Sequence, residues 1–115
     1  MSARFETLVW FAQRITAAIL AVAVTVHLIT IAYAMDGGLS AREILDRIQG
    51  NGAWLAFYVT FVVAVAIHAP IGLRAVLREI TPLRLNAIDG LMWLLFVLLL
   101  WTGLRAVLGL YGVLG

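Results

Sequence analysis

No cysteine occurs anywhere in the chain. That absence excludes disulfides, thiolate metal centres, iron–sulfur ligation by this chain and a cysteine nucleophile. Lysine is missing too, so all eight basic residues are arginine, and they are scattered. A pI of about 9.7 therefore does not mark a nucleic-acid surface, which needs a concentrated basic patch. Charge is scarce altogether, at 12% of residues, about half the share of an ordinary soluble domain.

Apolar residues take the place of what is missing. They make up 64% of the 115 residues, and the mean hydropathy is +1.07. Small soluble domains bury only about 60–70% of their surface, so water cannot be the solvent for this composition. One membrane-spanning helix needs about 20 apolar residues; three fit here and five do not. Ile15–Met35 and Ala53–Leu73 are uncharged runs of twenty-one residues each. The first is too long for the core of a signal peptide. A third run starts near Ile88-Asp89-Gly90 and continues past Arg105. The expected fold is all-α: one integral membrane domain over 1–115, with spans at about 12–35, 53–74 and 88–112. A chain this small and apolar is expected to be a subunit, part of a larger helix bundle with a second copy or a related chain.

The first connection, 36–52, is the only soluble-looking segment. Ser40 followed by Glu43 forms a capping-box pattern, and Ile44, Leu45 and Ile48 share a face. A short interfacial helix over 41–48 is expected. Residues 74–87 form the second connection, broken by Pro82. The N-terminus and second connection hold Arg4, Arg14, Arg74, Arg78 and Arg84, against Arg42 and Arg47 in the first connection. By the positive-inside rule this puts the N-terminus in the cytoplasm and the C-terminus outside. Trp10, Trp54, Trp93 and Trp101 lie toward span ends, as interface anchors do.

The two histidines, His27 and His68, both fall inside spans. Ionisable groups there are rare and functional by default. Ala64, His68 and Gly72 recur at four-residue spacing, so they stack along one stripe. Ala23, His27, Thr30 and Ala34 form a similar stripe on the first span. Small neighbours leave a flat recess beside an imidazole, and Pro70 is expected to bend the helix just past His68. The same stripes also suit bare helix packing. Zinc usually wants three or four protein ligands, and a proton relay would usually show a carboxylate at depth. Haem needs one or two axial histidines in an apolar pocket. With no Cys-x-x-Cys-His segment it would be held non-covalently, as haem b.

His27 precedes Asp36 by nine residues and His68 precedes Arg74 by six. At about 1.5 Å per residue His27 is roughly 13 Å from the outer end of its span and His68 roughly 9 Å from the inner end of its own, so across a core of about 30 Å the two differ in depth by on the order of 10 Å. One iron in one chain would not easily take both. Two chains about an axis normal to the membrane would pair like with like, giving two haems per pair of chains; a related partner chain would serve as well. Arg14, Arg74 and Arg78 at the inner edge and Arg105 at the outer side are candidate donors to haem propionates or a quinone head group. Snorkelling and topology account for arginines at these places equally well.

His68-Ala-Pro-Ile-Gly72-Leu-Arg74 resembles the His-x-x-x-Gly-Ile/Leu-Arg segment of the membrane-anchor cytochrome b subunits of succinate dehydrogenase and fumarate reductase. Gln13-Arg14-Ile-Thr16 is similar to the family's Arg-x-Ser/Thr entry segment, near the quinone and the haem propionates. Pro82-Leu-Arg84 also fits, and the whole chain resembles the short proteobacterial anchor proteins of the fumarate reductase type. The resemblance spans roughly residues 9–85. It implies His68 as a haem b ligand and His27 as the extra ligand of di-haem members. It implies flavoprotein and iron–sulfur subunits on the cytoplasmic face of a bacterial inner membrane, and a non-catalytic anchor passing electrons to or from quinone. Glu79-Ile80 stand where several members carry a Tyr or Trp that contacts quinone, so the quinone site does not carry over. Two alternatives stand beside this reading: a haem b carrier for another dehydrogenase, and a small membrane protein without haem.

Overall fold

In a computed structural model, described for residues 2–38, 40, 42, 43, 46 and 49–111, the chain is built from three long helices. They are α1 (Ala3–Asp36), α2 (Gly52–Ile80) and α3 (Leu85–Tyr111). Each is long and apolar enough to cross a membrane, and no strand occurs among the described residues. The fold is thus the all-α, three-helix membrane architecture that the hydropathy implies.

Local chemistry sets the helix ends. Ser2 Oγ accepts from the Phe5 N–H at 3.2 Å and caps α1. Asn51 Oδ1 accepts from Ala53 N and Trp54 N and caps α2. Such side chains satisfy amide groups that the first turn leaves bare. Gly38, at φ +65°, takes the left-handed turn just past α1, where a side chain would be strained. Thr81 ends α2 in extended backbone, as the residue before Pro82 prefers. Inside α2, Pro70 is fully buried and the helix runs through it unbroken.

The helices outrun the apolar segments. α1 has 34 residues, about 51 Å at 1.5 Å per residue, against a hydrocarbon core of about 30 Å. The surplus lies mostly at its N-terminal end, before Ile15. At that same end α2 runs on past Arg74 and Arg78, and α3 starts before Asp89. Only residues 81–84 connect the two, much less than the 74–87 connection expected from the charges. Charge ends burial in lipid, but Arg and Glu are good helix formers and do not end a helix.

α2 is the central helix: it packs along both α1 and α3, which meet each other far less. The contact with α3 is tight at Gly103, where an added Cβ would lie 2.6 Å from Val62 Cγ1. The core is correspondingly thin. Ala23, Ala64, Ala66, Ile88 and Met92 are its buried apolar residues, while Val22, Ile29 and Leu94 point outward. Lipid is as apolar as leucine, so close packing and polar contacts must hold such helices together.

Of the interfacial helix expected over 41–48, residues 41, 44, 45, 47 and 48 lie outside the described residues. Its start is described: the Glu43 N–H donates to Ser40 Oγ at 3.2 Å, and the Ser40 hydroxyl donates to Glu43 Oε1. Gln49 Nε2 donates to the Leu110 carbonyl and ties this connection to the end of α3.

Candidate functional site

The seam between α1 and α2 carries both histidines. His68 is half-buried on α2. Its Nδ1 lies 3.3 Å from Thr16 Oγ1 on α1, and Thr16 is only 5% exposed. One turn further along α2, Gly72 faces the Gln13 amide, whose Nε2 would lie 3.5 Å from an added Cβ. The space beside Gly72 is therefore partly taken by Gln13, so the recess expected over the stripe is shorter than the stripe. Gln13 Oε1 is itself buried without a hydrogen-bond partner among the described residues. Ala64 and Thr16 instead border an open apolar groove of about 370 Å³ between α1 and α2, together with Ile15, Ile19, Thr60 and Ile67.

His27 meets different surroundings. Its ring stands edge-on to Tyr58 and Phe61 of α2, with centroids at 6.0 and 5.5 Å. Trp54 and Phe57 extend this aromatic cluster. His27 Nδ1 is buried and has no hydrogen-bond partner among the described residues. Because α1 and α2 are antiparallel, His27 lies about level with Tyr58, ten residues from His68. That is roughly 15 Å along the helix, so the chain does not bring the two rings together.

An ion cluster with a buried heart, Arg74 and Asp89, closes the end nearer His68 and joins all three helices. Arg74 of α2 is 4% exposed. Its Nε donates to Asp89 Oδ1 of α3 at 2.6 Å. Its two terminal nitrogens donate to Glu6 of α1, at 2.6 and 3.3 Å. Arg78 approaches the same carboxylate at 3.5 Å, so two positive and two negative charges are gathered there. Paired and hydrogen-bonded charges are the form in which burial is tolerable.

The other expected arginines stand apart from this cluster. Arg14 is exposed and lies over the Trp10 ring at 5.0 Å, so Arg14 and Arg74 are held by different partners. Arg105 is exposed at the far end of α3. With Trp101, Leu104 and Leu108 it lines a groove of about 740 Å³. Among the described residues no three His, Asp or Glu side chains gather to hold a metal ion. The residues suit a group that takes one or two histidines, such as haem, rather than a multi-ligand metal centre. Sequence reading missed Glu6 and Asp89 as partners of Arg74, and Thr16 as the hydrogen-bonding partner of His68. The available signal was that a charge at a span entrance is seldom left unpaired.

Fold and site together define a multi-pass membrane subunit with histidines in its helix seams and a charged latch at one end. Residues 1–104 match the family described as succinate dehydrogenase/fumarate reductase transmembrane subunit. The chain is also 30% identical over 101 residues to the succinate dehydrogenase hydrophobic membrane anchor subunit of Archaeoglobus fulgidus, covering 86% of each chain. No solved structure matches it. The chain belongs to the succinate dehydrogenase/fumarate reductase transmembrane subunit family, and it is a membrane anchor subunit of that family.

Proposed function

We propose that this anchor carries haem b and links the iron–sulfur subunit of a succinate:quinone oxidoreductase to quinone in the membrane. The observation that carries the proposal is His68: its Nδ1 is engaged by Thr16, which leaves Nε2 as the ligating nitrogen. An axial histidine is usually held this way, with its other ring nitrogen bonded. Bound haem b supplies a one-electron relay. The chain's own residues supply its ligand, an apolar seam and arginines at the edges. His27 is the ligand for a second haem, farther from the ion cluster, in an assembly of two anchor chains, either two copies or two related subunits. Arg14 and Arg78, exposed at the cluster end, are the donors for a propionate or a quinone head group there, and Arg105 serves the far end. Arg74, committed to Glu6 and Asp89, shapes the near edge that those groups meet.

The Arg distribution supports a cytoplasmic position for the cluster end, with the flavoprotein and iron–sulfur subunits docked against it and the whole in the cytoplasmic membrane. Purification through a tag on this chain tests the proposal. The expected result is copurification of a flavoprotein and an iron–sulfur protein, with a b-type reduced-minus-oxidised spectrum that His68→Ala diminishes. A complex with no b-type absorbance, or one whose spectrum His68→Ala leaves intact, would refute it.

A further inference from the structure

Thr16 has one hydroxyl proton, and its own helix claims it. Oγ1 donates to the Ala12 carbonyl at 2.7 Å, with the Gln13 carbonyl close by at 3.2 Å. The same oxygen meets His68 Nδ1 at 3.3 Å. With its proton already on the backbone, the hydroxyl can only accept from the imidazole. A neutral imidazole carries one N–H, at one nitrogen or the other. The bond made at one nitrogen settles the role of its counterpart.

We propose that Thr16 is the positioning residue for His68. It holds the ring as the Nδ1–H tautomer and leaves Nε2 bare, as the nitrogen that would ligate the iron, an assignment that rests on the haem reading above. Three features support it. The hydrogen bond links residues 52 positions apart on two helices, so it fixes the ring relative to α1 as well as α2. Thr16 is buried, so water does not compete for the bond. A hydroxyl that donates at one side is polarised and becomes a better acceptor at the other. His27, whose Nδ1 is buried with no partner among the described residues, has no corresponding hydroxyl within the described chain. The two histidines are therefore oriented by different means.

The test uses the intact purified complex with Thr16→Val, Thr16→Ala and Thr16→Ser. Haem retention is read by transfer to excess apomyoglobin, and midpoint potentials by redox titration of the b-type absorbance. Valine keeps the shape and loses the acceptor, so the His68-dependent haem should be held about 10–100-fold more weakly. Its potential should move positive, because a less basic ligand stabilises the ferric state less. Alanine should shift the potential in the same direction, and serine should restore both readouts. Unchanged potential and retention in Thr16→Val and Thr16→Ala, beside haem loss in His68→Ala, would overturn the Thr16 assignment alone. Undiminished haem in His68→Ala would overturn the reading beneath it.

Discussion

Arg74 and Asp89 meet at 2.6 Å with side chains only 4% and 6% exposed. They bind the end of α2 to the start of α3 across the four-residue connection. Removing one partner of a buried pair costs about 3–5 kcal/mol where the other charge is left alone; without Asp89, Arg74 would keep Glu6 and lose its Nε acceptor, so the cost should be a part of that. Asp89→Ala should therefore lower the thermal midpoint of the purified subunit, followed by tryptophan fluorescence. Glu6→Gln should act less, because Glu6 is 38% exposed and open to screening. Arg74→Leu combined with Asp89→Leu should recover part of the loss. An Asp89→Ala protein as stable as the parent would show that the pair contributes nothing to the fold.

The α2–α3 seam gives a prediction independent of charge. At Gly103 an added Cβ would press to 2.6 Å from Val62 Cγ1. Overpacking of this kind typically costs about 1–3 kcal/mol. Gly103→Ala should destabilise the subunit, and adding Val62→Ala should relieve it, since the clash is with the valine side chain. Equal stability of Gly103→Ala and Gly103→Ala/Val62→Ala would mean the helices simply move apart.

Orientation can be read directly because the chain has no cysteine of its own. Single cysteines at Ser40 and Leu83 lie in the two opposite connections, both exposed. In intact cells a membrane-impermeant maleimide should label Ser40→Cys and should reach Leu83→Cys only after lysis. The reverse pattern would invert the topology and move the docking face of the peripheral subunits to the opposite end.

The three helices were legible because long apolar runs have one solution in lipid: backbone groups must bond within the segment. His27 and His68 stand out in the sequence for the same reason, since a polar ring at depth is conspicuous. Their partners were not. Arg74 binds a carboxylate 68 positions away, and no periodicity carries such a pairing. The stripe of Ala64, His68 and Gly72 shows which residues share a face. It cannot show that Gln13, from a different helix, fills the space over Gly72. The helices run past the apolar spans for a simpler reason: hydropathy reports where lipid ends, while caps such as Asn51 and breaks such as Thr81-Pro82 decide where a helix ends.

His27 gives the sharpest test of how many haems the proposed assembly would hold. It lies about level with Tyr58, ten residues from His68 along α2, or roughly 15 Å by helical rise. Two axial ligands of one iron must sit within a few ångström of it on opposite sides, so His27 and His68 of one chain cannot share it. The buried Nδ1 of His27 has no partner among the described residues. Leaving such a group unpaired costs about 1–3 kcal/mol, which favours an assembly that supplies one from a neighbouring chain or water. In a two-fold pair of anchors, His27→Ala should remove about half of the b-type haem and leave the His68-dependent half, with its potential little changed. Electrons entering at the ion-cluster end would still find the nearer haem, so quinone reduction near Arg14 and Arg78 should survive in part. Haem and protein quantified together in the parent and in His27→Ala decide the matter. One haem per two chains in the parent, or undiminished haem in His27→Ala, would assign His27 to packing against Tyr58 and Phe61 rather than to a second iron.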